Sequence, residues 1–136
     1  MILLGIDWGE RNIGIAFSSG LAAAPLEALK VKTQNEAVDK IARIYQKLEA
    51  EKIVLGIPLD SEGWERVQAQ KIKKFGKKLQ KAISGKIIFH NEALSSKEAL
   101  EKKLAAGRGK KARRKLDATS AAVILQDYLD SSATTK

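Results

Sequence analysis

Three carboxylates in this chain stand where elements of structure begin or end. Asp7 closes an apolar run that starts at Ile2, Glu92 comes directly after His90 and Asn91 at the end of the last strand, and Asp117 opens the final helix. In an α/β sheet, groups near the carboxyl ends of neighbouring strands gather in one crevice. Two ionised oxygens about 4 Å apart repel by roughly 4 kcal/mol at an effective dielectric of about 20. A hard divalent cation offsets that repulsion and takes oxygen ligands. Two such ions can activate a water and stabilise the leaving oxygen in phosphodiester hydrolysis. The chain has no cysteine and one histidine, so carboxylate–Mg²⁺ chemistry is the simplest catalytic reading. Local sequence leaves other roles open. Asp7 could close an Asx turn, Asp117 could be a helix N-cap, and Glu92 could be a solvated loop residue.

The elements that would position these acids follow from the hydrophobic pattern. Ile2 to Asp7 reads as a buried central strand. Trp8-Gly9-Glu10-Arg11-Asn12 supplies a turn, and Asn12 to Ser18 resumes a strand, giving a hairpin. A third extended segment spans Ala23 to Val31, with Pro25 favouring a sheet edge. Thr33-Gln-Asn-Glu36 forms a capping box for a helix with Ala37, Ile41, Ile44, Tyr45 and Leu48 on one face. Ile53 to Ile57 is a short strand stopped by Pro58. A helix follows with Val67, Ile72, Phe75, Leu79 and Ala82 as its apolar positions. Lys86 to Phe89 is the last strand. Ser95-Ser-Lys-Glu98 caps a helix to about Ala105, and a final helix runs from about Leu116 to Leu129. The order β-β-β-α-β-α-β-α-α predicts an α/β fold with a mixed five-stranded sheet, three strands antiparallel and two parallel, and helices on both faces. No repeat or linker divides the chain, so residues 1–136 are expected to form one domain.

The charge bears on the partner. Twenty-five Lys and Arg against 16 Asp and Glu give a formal net charge of +9, a field that attracts polyanions, nucleic acid foremost. With 136 residues, 44% of them hydrophobic, the chain can bury a core without disulfides. The short apolar start, MILLGIDWGE, lacks a preceding basic region and is not read as a secretory signal. No apolar stretch approaches the roughly 20 residues needed to span a bilayer. A cytoplasmic protein without membrane contact is expected.

Eight basic residues lie between Lys102 and Lys115 with no acid among them. The part from Gly107 to Lys115 reads as a flexible, glycine-containing loop. Placed just before Asp117, Arg108, Lys110, Lys111, Arg113, Arg114 and Lys115 are the candidate phosphate contacts. The lysines at 71, 73, 74, 77, 78 and 81 occupy the polar side of an amphipathic helix and read as a solvated face. Gly56 to Gly63 is expected to form a rigid loop near the same crevice. Trp8 and Trp64 read as core or partly buried residues before base-stacking ones, and His90 as structural.

The chain also resembles the YqgF family, which is similar in fold to the Holliday-junction resolvase RuvC and to ribonuclease H. The matching stretches run nearly end to end. They are Gly5-Ile-Asp7-Trp-Gly9 with Asn12-Ile-Gly14-Ile-Ala16, Pro25-Leu26, Val54-Leu-Gly56-Ile-Pro58-Leu with Gly63, and Gln68-Ala-Gln70 through Phe75. They continue through Asn91-Glu92-Ala-Leu94-Ser-Ser96 with Glu98-Ala99, and close with Lys115-Leu-Asp117-Ala-Thr-Ser-Ala-Ala122, Ile124-Leu-Gln126 and Tyr128-Leu129. The resemblance implies a ribonuclease H-like fold with Asp7, Glu92 and Asp117 as catalytic, metal-binding acids for Mg²⁺ or Mn²⁺. Two positions depart: the family has Asp-Glu-Arg where this chain has Asn91-Glu92-Ala93, and Ser-Asp where it has Ser18-Ser19.

The expected function is a metal-dependent endonuclease acting on structured nucleic acid, with maturation of the 5′ end of precursor 16S rRNA as the implied task. The expected assembly is a monomer or weak homodimer. A Holliday-junction-type DNA resolvase is the enzymatic alternative. A non-catalytic RNA-binding module with the same fold is the other, kept in view by Asn91. The Asp7-Trp-Gly9 hairpin also resembles the phosphate-binding hairpin of actin-like and sugar-kinase ATPases, but those need two lobes around the nucleotide.

Overall fold

The computed structural model describes residues 1–58, 63–91 and 110–134, with the side chains of 64, 65, 110–116 and 132–134 outside the description. Its strands are β1 (Ile2–Asp7), β2 (Asn12–Ser18), β3 (Ala23–Lys30), β4 (Ala50–Ile57) and β5 (Lys86–Asn91). Its helices are α1 (Gln34–Lys47), α2 (Trp64–Ala82) and α3 (Lys110–Thr134). The strands form one sheet in the order β3-β2-β1-β4-β5. The first three pair antiparallel, and β4 and β5 run parallel to β1. This is the expected mixed sheet, and the carboxyl ends of β1, β4 and β5 share one edge.

Strand alternation divides the core in two. Leu4, Ile6, Ile13, Ile15, Ile53, Leu55 and Ile57 are buried on the face covered by α1 and α2, together with Ile41, Phe75 and Leu79. Leu3, Ala16 and Val54 point the other way and pack with Ala121, Ala122, Ile124 and Leu125 of α3. Each fully buried Leu or Ile contributes roughly 1.5–3 kcal/mol. The central strands are apolar on both faces because helices cover both. Pro25, which has no N–H to give, sits on the edge strand β3. The register shifts beside it, where Ile15 pairs with Glu27 but Ala16 with Pro25.

Helix α1 starts as the capping box predicts. The Thr33 hydroxyl accepts from the Glu36 N–H at 3.1 Å, and the Glu36 carboxylate accepts from the Lys32 N–H at 2.7 Å. The apolar face of α2 differs in one member. Val67 is half exposed, and Ala69 is buried in its place. Ala69, Ile72, Phe75 and Leu79 recur at steps of three and four, whereas Val67 stands five before Ile72 and falls off that stripe.

The last helix is also longer than its apolar pattern suggests. It begins at Lys110, not near Leu116, and runs to Thr134. Residues 110–115 are Lys, Ala and Arg, all good helix formers. Apolar periodicity cannot register a turn that has no large apolar side chain. The helix expected over 95–105 lies outside the described residues. Among the described residues, no helix is long and apolar enough to cross a membrane.

Candidate active site

A glycine brings the backbone of Asp117 onto the strand partner of Asp7. Asp7 ends β1, half-buried, on the same side of the strand as Leu3 and Gly5. A Cβ added to Gly5 would lie 2.6 Å from Leu125 Cβ and 2.9 Å from the Ala121 carbonyl oxygen, so this is the α3 face. Across the hairpin Asp7 pairs with Gly14. A Cβ on Gly14 would stand 1.8 Å from the Asp117 carbonyl oxygen. Asp117, Ala121 and Leu125, spaced by four, form the stripe of α3 that lies on the sheet, and the helix runs against the direction of β1. Helical side chains lean toward the helix N-terminus. That lean carries the half-buried Asp117 side chain toward the carboxyl edge of the sheet, where Asp7 stands.

Asp117 therefore does not open its helix. It is two turns inside α3, and the basic run that precedes it is helical from Lys110 rather than a loop. Within a helix the N-cap role is gone, and the backbone approach at Gly14 accounts for the position instead.

Glu92 lies outside the described residues. The strand that leads to it ends at Asn91, which pairs with Ile57 at the carboxyl edge that also bears Asp7. Among the described residues no group of three His, Cys, Asp or Glu could hold a metal ion. Asp7 and Asp117 would offer a cation carboxylate oxygens alone, and such donors suit hard cations such as Mg²⁺ or Mn²⁺.

Of the two departures from the family pattern, Asn91 and Ser18-Ser19 lie away from Asp7, and Ala93 is outside the described residues. Ile87 and Phe89 face α2, Ile87 in the core of that side and Phe89 with its ring against Gly76. Alternation then turns Asn91 to the α2 side, the face opposite Asp7. Ser18 pairs with Leu3, at the far end of β1 from Asp7. Its hydroxyl accepts from the Gly20 N–H at 2.9 Å and closes the β2–β3 turn, with Ser19 exposed beside it.

His90, on the α3 face of β5, has Nε2 2.8 Å from Asp127 Oδ2 and packs edge-on against Tyr128, with ring centroids 5.9 Å apart. Its structural reading holds: it fastens the edge strand to α3. No sequence motif marked Asp127 as its partner. The close-approach glycines carried a signal that could have been used, since glycine inside an apolar strand often marks backbone approached by another element.

Of the phosphate-contact candidates, Lys110, Lys111, Arg113, Arg114 and Lys115 occupy the first two turns of α3, and Arg108 lies outside the described residues. Trp8 is buried and packs on Phe75 at 5.9 Å, so it belongs to the core. The side chain of Trp64 is outside the description. Gly56 and Ile57 belong to β4 rather than to a loop, and residues 59–62 of the expected loop are outside the described set. In the turn after Asp7, Glu10 pairs with Lys71 of α2. The Lys71 hydrogen bond, followed by its charge, lowers the Glu10 carboxyl below its ordinary range.

Comparison with known proteins shows the family and the fold. The family described as "RuvX: Holliday junction resolvase" matches residues 1–131. A protein of Syntrophus aciditrophicus named "Putative pre-16S rRNA nuclease" is 37% identical over 133 residues, covering 96% of this chain and 89% of that one. A protein of the same name from Dictyoglomus thermophilum is 35% identical over 137 residues, covering 98% of each. Among solved structures, T. thermophilus RuvC in complex with a Holliday junction substrate superposes with a TM-score of 0.54 at 17% identity, covering 91% of each chain. At that identity the likeness is one of fold.

Proposed function

The chain belongs to the RuvX family, and we propose that it is a divalent-metal-dependent endonuclease that hydrolyses phosphodiester bonds in structured RNA, maturing the 5′ end of precursor 16S rRNA. One observation carries the hydrolytic reading: the Gly14 contact that sets Asp117 over the strand pair ending in Asp7. Two acids 110 residues apart in sequence are held at one end of one sheet face, with a backbone approach that permits no side chain between. The names of relatives at 35–37% identity support the RNA assignment.

In this reading Asp7, Glu92 and Asp117 hold Mg²⁺ or Mn²⁺, which when bound supplies an activated water and charge stabilisation for the leaving oxygen. Asp7 is fixed by the β1 ladder and Asp117 by the packing of α3, so both carboxylates are oriented before substrate arrives. The basic run 108–115 precedes Asp117 directly and would draw the phosphate backbone to the same edge. The protein acts in the cytoplasm, as one domain, as a monomer or weak homodimer.

The test is cleavage of a precursor 16S rRNA fragment by purified protein with Mg²⁺ or Mn²⁺, beside Asp7→Asn. Cleavage by the parent and none by Asp7→Asn, with RNA binding retained, is the expected result. Equal cleavage by both would assign the activity to a contaminant. Binding without cleavage in either would leave a binding module. A branched-DNA substrate cut in preference to the RNA would make the protein a junction resolvase.

A further inference from the structure

The segment of α2 from Arg66 to Lys81 carries seven basic residues and no acid. Ala69, Ile72, Phe75 and Leu79 face the sheet. At 3.6 residues per turn the opposite direction belongs to Lys74, Lys77 and Lys81, flanked by Lys73 and Lys78. All five are exposed.

The position of this face in the fold matters as much as its charge. Helix α2 follows β4 and precedes β5, so it starts near the edge that bears Asp7 and ends near the opposite edge. Lys71, on its second turn, is joined to Glu10 in the turn after Asp7. The row from Lys71 to Lys81 covers about 15 Å at 1.5 Å per residue. At its far end Lys52 and Lys86 lie opposite one another in register on β4 and β5. Lys78 and Lys81 also line an open groove of about 460 Å³ against α1, with Asn35, Val38 and Asp39. Asp39 is the acid that shares it.

Like charges three and four apart on a helix repel one another. Solubility alone needs no such run, because glutamine or alternating charge would serve equally on an exposed face. A nucleic-acid duplex carries about one negative charge per 1.7 Å of its axis. Alongside 15 Å of helix it offers a phosphate for every lysine in the row.

We propose that the outer face of α2 is a second phosphate-backbone contact, which grips a duplex segment of the bound nucleic acid beyond the edge that bears Asp7. The inference rests on the nucleic-acid reading of the chain and not on its hydrolytic activity. Such contacts fix register and orientation and carry no sequence information. The face lies on the sheet side opposite α3, so a substrate that touches both must pass around the edge where β1 and α2 meet.

The test is binding by the full chain, without divalent metal, to RNA and DNA duplexes of equal length over a range of KCl. The triple variant K74Q/K77Q/K81Q changes exposed positions only, and glutamine is about as good a helix former as lysine. It should lose at least about tenfold in affinity near 0.1 M salt, and the log–log salt slope should fall by about 3. A control variant, K30Q/R43Q/K47Q, removes the same charge from β3 and α1 and should stay within about threefold of the parent. Loss on one nucleic acid alone would assign the contact to that sugar. A parental slope in K74Q/K77Q/K81Q on both duplexes, or an equal loss in the control, would overturn the proposal. Binding through this face by a protein that cleaves nothing would leave it standing and remove the nuclease reading.

Discussion

Gly14 and Asp117 meet backbone to backbone: a Cβ on the glycine would stand 1.8 Å from the aspartate carbonyl oxygen and 2.3 Å from its carbon. Nothing in that contact can rotate away. The closeness of β2 and α3 sets where the Asp117 side chain begins, and Gly14 is the register partner of Asp7.

Gly14→Ala should therefore do two things at once. Overpacking commonly costs roughly 1–3 kcal/mol, and with main chain on both sides the upper end is expected. Any relief comes by lifting α3, which moves Asp117 from Asp7 and raises the Mg²⁺ concentration needed for half-maximal cleavage. Gly76→Ala is the comparison. Its new Cβ would meet the ring of Phe89, itself 40% exposed and free to swing, so a smaller loss is expected. Urea unfolding with a Mg²⁺ titration of cleavage checks both. Equal stability of Gly14→Ala and the parent would contradict the packing described.

Restoring the family carboxylate beside Glu92 should change little. β5 alternation turns position 91 to the α2 face, away from Asp7. Asn91→Asp should leave the metal concentration for half-maximal cleavage within about threefold, under 1 kcal/mol by the tenfold-per-1.4 kcal/mol relation. A tenfold gain in metal affinity would place that side chain among the ligands.

Glu36 predicts an acid-sensitive contribution to stability. The Lys32 N–H, first, and the Lys40 ammonium hold its carboxyl below the ordinary value of 4.5. A carboxyl whose folded pKa is depressed stabilises the fold above its unfolded pKa, and that contribution disappears as pH falls through the folded value. The parent should be more stable than Glu36→Gln at pH 7, with the gap narrowing below about pH 4.5. Denaturant unfolding at pH 7 and pH 3 measures it, and a pH-independent gap would show that the carboxylate charge plays no part.

Much of this was legible in the sequence because apolar alternation and capping boxes are local signals. β1 to β5 lie on their hydrophobic runs, although β4 begins earlier, at Ala50, and β5 runs on to Asn91, and Thr33 and Glu36 cap α1 as their spacing suggests. The start of α3 was not legible, because Lys110 to Lys115 offer propensity without an apolar stripe and Gly107 and Gly109 suggest a loop. Val67 was misassigned because residue type was weighed over spacing: it stands off the stripe of Ala69, Ile72, Phe75 and Leu79. The approach of Asp117 to Gly14, the partner of Asp7, joins residues more than 100 apart, which a local pattern cannot encode. The glycines at 5 and 14 were its nearest trace. The His90–Asp127 contact left no trace at all, since neither residue sits in a motif.

The central claim is that acids remote in sequence jointly hold a divalent cation. A crystal grown with Mn²⁺ and read by its anomalous signal tests this most directly. Manganese bound to oxygens of Asp7 and Asp117, with Glu92 completing the set, is the predicted result. Manganese held elsewhere, or an Asp7 and Asp117 too far apart to share an ion, would contradict it.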